Sequence, residues 1–172
     1  MKLIILNGPP GVGKSTIAKR LHAEMPMSLL IEGDEWRRQI SQWQEHREAS
    51  HDLVYAIKVA ATDVALKMGS NVIVEKAIFG NDAAIDALIA SARAHNADAY
   101  EFILNADKET ILARADARGY RPGSTFTPER APILWQKAQD LIARRPHAIV
   151  IDTSHLDPDA AYEKVKKIVL DS

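Results

Sequence analysis

Residues 6–21 read LNGPPGVGKSTIAKRL, and this stretch constrains the fold more than any other in the chain. It matches G-x-x-x-x-G-K-[ST] at Gly8, Gly13, Lys14 and Ser15, between an aliphatic run and the start of an amphipathic segment. That position matters, because the motif works only where a strand ends and a helix begins. Its glycines let successive backbone N–H groups face one concavity, and the helix N-terminus adds partial positive charge. The segment Gly8, Pro9, Pro10, Gly11, Val12, Gly13, Lys14, Ser15 and Thr16 therefore reads as a loop wrapped around a triphosphate. In that reading Lys14 reaches the β- and γ-phosphates, Ser15 offers its hydroxyl to Mg²⁺, and Thr16 touches the α-phosphate.

The rest of the chain supports a strand–loop–helix architecture. Nearly continuous apolar runs fall at 3–6, 28–31, 71–74, 100–104 and 148–151, as expected of strands buried on both faces of a parallel sheet. Between them, Leu53, Ile57, Ala60, Ala61, Val64 and Met68 recur at helical spacing, predicting a helix over 52–68 that Gly69 ends. Ile85, Leu88, Ile89 and Ala92 form a second such stripe, and Ile133, Lys137, Leu141 and Ile142 a looser third. Asp157 before Pro158, and Thr127 before Pro128, read as helix caps followed by proline in the first turn. This alternation predicts an α/β doubly wound domain with ligands beyond the carboxyl ends of its strands. The 172 residues suit one such domain.

Composition narrows the partners. A formal net charge of −1 offers no basic bias towards nucleic acid or an anionic membrane. The absence of cysteine excludes thiol chemistry and suits a cytoplasmic protein, and the amino-terminal apolar run is too short for a membrane span. The expected partner is a small-molecule acceptor; the oligomeric state is not legible.

Which nucleotide chemistry follows is decided elsewhere in the chain. A GTPase needs D-x-x-G after a strand and an N/T-K-x-D motif; the sole D-x-x-G, from Asp116 to Gly119, ends a predicted helix, and the second motif does not occur. Instead the second strand runs into LLIEGDEWRR, delivering Gly33, Asp34 and Arg37. The G-D-x-x-R there, the R-x-x-x-R of Arg114 and Arg118, and the late IDTSHLDP segment occur in the order found in small P-loop phosphotransferases. The chain resembles gluconate kinase, adenylylsulfate kinase and chloramphenicol phosphotransferase. That resemblance implies a five-stranded parallel sheet of order 2-3-1-4-5, ATP and Mg²⁺ as cofactors, a short mobile lid at about 118–127, and Thr153 beside the adenine.

On this reading Asp34 sits at a strand tip where a carboxylate can orient an acceptor hydroxyl or take its proton. Arg37 clamps the acceptor through its fork of donors. Glu75 ends the third strand where the resembled kinases usually carry aspartate, placing it near metal-bound water or substrate, with Lys76 and Phe79 following into the acceptor region. Arg114, Arg118 and Arg121 are the lid candidates, and Arg118 is read as catalytic, since arginine stabilises the charge spread over the transferring phosphoryl group. Trp36 and Trp43 are seven apart and are read as sharing one helix face. Arg130, Arg144 and Arg145 are read as surface groups, and the histidines show no metal-ligand spacing. The expected activity is transfer of the γ-phosphoryl of ATP to a hydroxyl or phosphate of a small acceptor. A nucleoside or nucleotide kinase and an antibiotic phosphotransferase are the near alternatives; a nucleic-acid end kinase and a non-catalytic switch are the remote ones.

Overall fold

A computed structural model describes residues 1–76, 79–119 and 126–170. Its elements alternate as the aliphatic runs require: β1 (Lys2–Asn7), α1 (Lys14–Glu24), β2 (Leu29–Glu32), α2 (Gly33–Arg38), α3 (Arg47–Lys67), β3 (Val72–Glu75), α4 (Asp82–Ala94), β4 (Asp98–Asn105), α5 (Lys108–Arg118), α6 (Ala131–Arg144), β5 (Ile149–Asp152) and α7 (Pro158–Leu170). The strands form one parallel sheet of order β2-β3-β1-β4-β5, with Ile4 paired to both Ile73 and Tyr100. This is the predicted order. Because successive strand side chains point to opposite faces, β1 feeds two cores. Ile4 and Leu6 pack with Ile17 and Leu21 of α1 and with Tyr162 and Val165 of α7. Leu3 and Ile5 pack on the other face with Leu66 of α3, Ile85 and Leu88 of α4, and Leu141 of α6.

Caps set several helix starts. The Asp157 carboxylate accepts from the Ala160 N–H at 2.7 Å, as its sequence predicts. Asn81 and Asp107 do the same for α4 and α5, accepting from Ala84 and Thr110. Thr127 does not cap. Its hydroxyl donates to Glu129, residues 128–130 form a turn, and α6 begins only at Ala131, with proline in its first turn.

The helix predicted over 52–68 begins earlier, at Arg47, and it is turned the other way. Leu53, Ile57, Val64 and Met68 are exposed, whereas Ser50, Val54, Lys58, Thr62 and Leu66 are buried. The apolar stripe misleads because the inward face carries two hydroxyls and a lysine that hydropathy counts as outward. Ile133 of the third predicted stripe is likewise exposed, while Ala131, Ala138 and Leu141 are buried. Trp36 and Trp43 do not share a helix. The six-residue α2 ends at Arg38, and the chain turns through 39–46 before α3, with Gln42 at positive φ. Arg145 is no surface group either: its guanidinium donates to both Glu101 oxygens, at 2.7 and 2.9 Å, and to Asp86 at 2.8 Å. Among the described residues, no helix is long and apolar enough to cross a membrane.

Candidate active site

The carboxyl ends of the strands open into a cleft of about 1240 Å³, lined from the β1–α1 loop across α2 and α3 to the segment after β5. The loop's shape follows from its glycines. Gly8 has φ 134°, and a Cβ there would overlap the Leu104 carbonyl oxygen of β4, so no larger residue fits. Gly13 caps α1 in the left-handed region at φ 93°, open to glycine at little steric cost. Buried Pro9 and Val12 anchor the loop, while Ser15 and Thr16 are exposed at the start of α1. Lys14 is buried and donates to the Pro9 carbonyl at 2.9 Å, which keeps its ammonium over the concavity.

Opposite the loop stands a charged cluster at the tips of β2 and β3. Asp34, on α2, accepts from Lys76 Nζ at 2.7 Å and lies 3.5 Å from Arg37. Its side chain nevertheless remains 63% exposed towards the cleft. Burial by itself would raise the Asp34 carboxyl, but Lys76, Arg37 and Lys14 together hold it below the usual carboxylate range. Lys76 is buried, and that desolvation outweighs Asp34 and lowers its ammonium below the usual lysine range. Sequence reading placed Lys76 in the acceptor pocket without its partner, because the pairing joins residues 42 apart.

Arg37 is held on three sides. Its guanidinium lies 4.4 Å from the Trp43 ring centroid, within 2.6 Å of His51 Nε2, and beside Asp34. Burial, with Arg37 and Lys76 nearby, lowers His51 to about 4. The imidazole is therefore neutral near pH 7, and Nε2 accepts from Arg37 while Nδ1 carries the proton. Trp43 thus stacks on Arg37, a link its spacing to Trp36 does not reveal. Glu75 ends β3 within the same cleft, in register with Glu32 of β2 and Leu6 of β1.

On the far side, Arg114 donates to the Thr153 hydroxyl and carbonyl and to the Leu156 carbonyl, joining α5 to the segment after β5. Thr153 is buried, and its hydroxyl in turn donates to the Asn105 carbonyl at 3.0 Å. Both residues line the cleft. Residues 120–125 of the expected lid, Arg121 among them, and the side chain of Arg118 lie outside the described residues. The structure thus gathers Lys14, Ser15, Asp34, Arg37, Glu75, Arg114 and Thr153 around one cleft.

The G-x-x-x-x-G-K-[ST] loop between β1 and α1 of a parallel sheet of order 2-3-1-4-5 defines the P-loop fold. The chain belongs to the AAA domain family, whose model matches residues 3–140. It is 23% identical over 179 residues to a cytidylate kinase from Ignicoccus hospitalis, covering 99% of this chain and all of that protein. Its fold is similar to that of a thymidylate kinase from Candida albicans, with TM-score 0.68 and 15% identity over 97% of this chain and 90% of that one. It is similar also to a tunicamycin resistance protein of Deinococcus radiodurans, with TM-score 0.65 and 18% identity over 98% and 96%. A gluconokinase from Sinorhizobium meliloti gives 0.63 and 17% over 99% and 94%. Kinases and phosphotransferases of nucleotides and small molecules are what the chain is related to and folded like.

Proposed function

We propose that this protein is an ATP-dependent kinase that moves the γ-phosphoryl group to a hydroxyl or phosphate of a small acceptor seated beside Asp34. One observation carries the reading: the phosphate loop and the Asp34–Lys76–Arg37 cluster face the same cleft from opposite sides. Loop amides and Lys14 bind the phosphates, and the start of α1 adds its dipole. The protein donors suit Mg²⁺. No cluster of three or more carboxylate or imidazole ligands occurs among the described residues, and Mg²⁺ on a nucleotide needs only one or two protein oxygens besides phosphates and water. Ser15 would hold the ion and Glu75 a water of its shell, and the ion when bound would supply charge neutralisation to the phosphates.

Asp34 orients the acceptor oxygen. Its low proton affinity makes it a poor base but a steady hydrogen-bond acceptor, which is sufficient where the transition state is loose. Arg118 and Arg121 would supply positive charge to the transferring group, and Arg114 with Thr153 borders the nucleotide. A phosphorylated acceptor, such as a nucleoside monophosphate, is the second reading, favoured by the full-length match to a cytidylate kinase.

The test is ADP release from Mg·ATP across a panel of sugars, sugar acids, nucleosides, nucleoside monophosphates and hydroxylated antibiotics. ADP should form with one class and not without acceptor. Acceptor-independent hydrolysis alone, or no release with any class, would count against a kinase. Arg118→Ala should slow transfer about 10³-fold with the fold intact, in line with other transition-state arginines.

A further inference from the structure

Beneath the acceptor side of the cleft lies a lysine that the mechanism above does not use. Lys58 projects inward from α3, is 1% exposed, and its Nζ has no hydrogen-bond partner among the described residues. It lies directly under the β2–α2 junction, where a Cβ on Gly33 would run into Nζ and Cε of Lys58 and Cδ of Lys76. Arg37 Nε is a second buried donor with no partner among the described residues. A buried unpaired donor costs stability. Here two such donors converge with Lys76 on a region whose carboxylate, Asp34, is itself open to the cleft.

We infer that Lys58 is a positioning residue for an oxyanion on the acceptor, phosphate or carboxylate, which seats against Lys76 and Arg37 while Lys58 takes up one proton beneath it. The inference rests on the kinase reading and names the acceptor as an anion.

The charge balance around Lys58 shows why the proton moves. Asp34 and Arg37 face it from α2, Glu75 and Lys76 from the end of β3, and Tyr55 lies one turn away on α3. Burial, and after it Lys76, lower Lys58 to about 7, with Asp34 and Glu75 opposing. An anion arriving at Lys76 adds negative charge to this set and raises the proton affinity of Lys58. Below pH 7 the proton is already present and anion affinity is flat. Above pH 7 binding must recruit it, so affinity falls as pH rises, by up to about tenfold per unit. Gly33 keeps Nζ close to the cleft floor, since any side chain there would displace it.

Calorimetry on the full chain, in buffers of different ionisation heat, reads the proton directly. With the loop first saturated by Mg·ADP, sulfate serves as a tetrahedral anion that does not titrate between pH 6 and 9, and gluconate as a carboxylate. At pH 8 the anion that binds should carry an uptake approaching one proton, declining towards zero by pH 6. Lys58→Met should abolish the uptake and weaken binding about fivefold at pH 6.5, the effect of one nearby charge. Sulfate binding points to a phosphorylated acceptor and gluconate binding to a sugar acid; either supports the inference when the uptake accompanies it. Binding without uptake, the same uptake in Lys58→Met, or no binding of either anion overturns it. The uptake is measured on the unaltered protein, so the inference remains testable even if the variant folds poorly. Failure of Mg·ADP to bind would instead count against the kinase reading itself.

Discussion

Asp34 faces two cations and an open cleft at once, and its chemistry follows from that balance. Because Lys76 and Arg37 outweigh burial, the carboxylate is ionised throughout the neutral range, and its stabilising contribution disappears only as pH falls below the ordinary aspartate range. Asp34→Asn should leave Mg·ATP affinity within about twofold and reduce turnover by about 10² or more, as steady-state kinetics with the true acceptor would show. A near-normal rate would remove Asp34 from the mechanism. Lys58 carries the opposite sign. Its proton affinity is lowered to about 7 in the folded state, so its cost to folding is fully present below pH 7 and fades as pH rises towards the ordinary lysine value. The unfolding free energy of the wild type, from urea titration, should therefore rise relative to that of Lys58→Met between pH 7 and 9, by at most about 1.4 kcal/mol per pH unit.

Among the elements, α3 is the one whose placement is least like its pattern. Its inward face presents Val54 and Leu66 together with Ser50, Lys58 and Thr62, and its outward face presents Leu53, Ile57 and Val64. Side-chain packing separates the two. Val54→Ala should cost about 2 kcal/mol through a buried cavity, while Val64→Ala should stay within about 0.5 kcal/mol, both read from chemical denaturation. Equal effects would mean that α3 is rotated from the orientation described. The polar inward face lies under α2, where Lys58 meets Gly33.

Across the whole molecule, the sheet brings distant segments to one edge, and a few ion pairs fix the helices against it. Arg145 binds Glu101 of β4 through two parallel hydrogen bonds and Asp86 of α4 through a third, from just beyond the end of α6. Glu101 and Arg145 are 9% and 13% exposed, so breaking the pair leaves a charge with little water. Arg145→Ala should lower stability by about 3 kcal/mol or more, as measured by urea titration. Much of this architecture was legible in advance. The strands, the glycine-rich loop and the G-D-x-x-R that carries Asp34 and Arg37 are local, and short-range geometry writes them into nearby residues; that the two side chains pair is a finding of the structure. Lys58, the Trp43–Arg37 stack and the Arg145 pairing were not, because each joins groups that only folding brings together.

The amino-acid sequence by itself determined the phosphate loop, since backbone amides arranged by Gly8 and Gly13 need no distant help beyond a strand before and a helix after. It also determined the parallel sheet, through aliphatic runs that are buried on both faces in the central strands β1 and β3, although at the edge Val150 of β5 is 43% exposed. The tertiary structure alone decided which face of α3 turns inward and what stands beneath Gly33. Those depend on the summed packing of α2, α3 and β3, where burial changes the character of a lysine that hydropathy assigns to water.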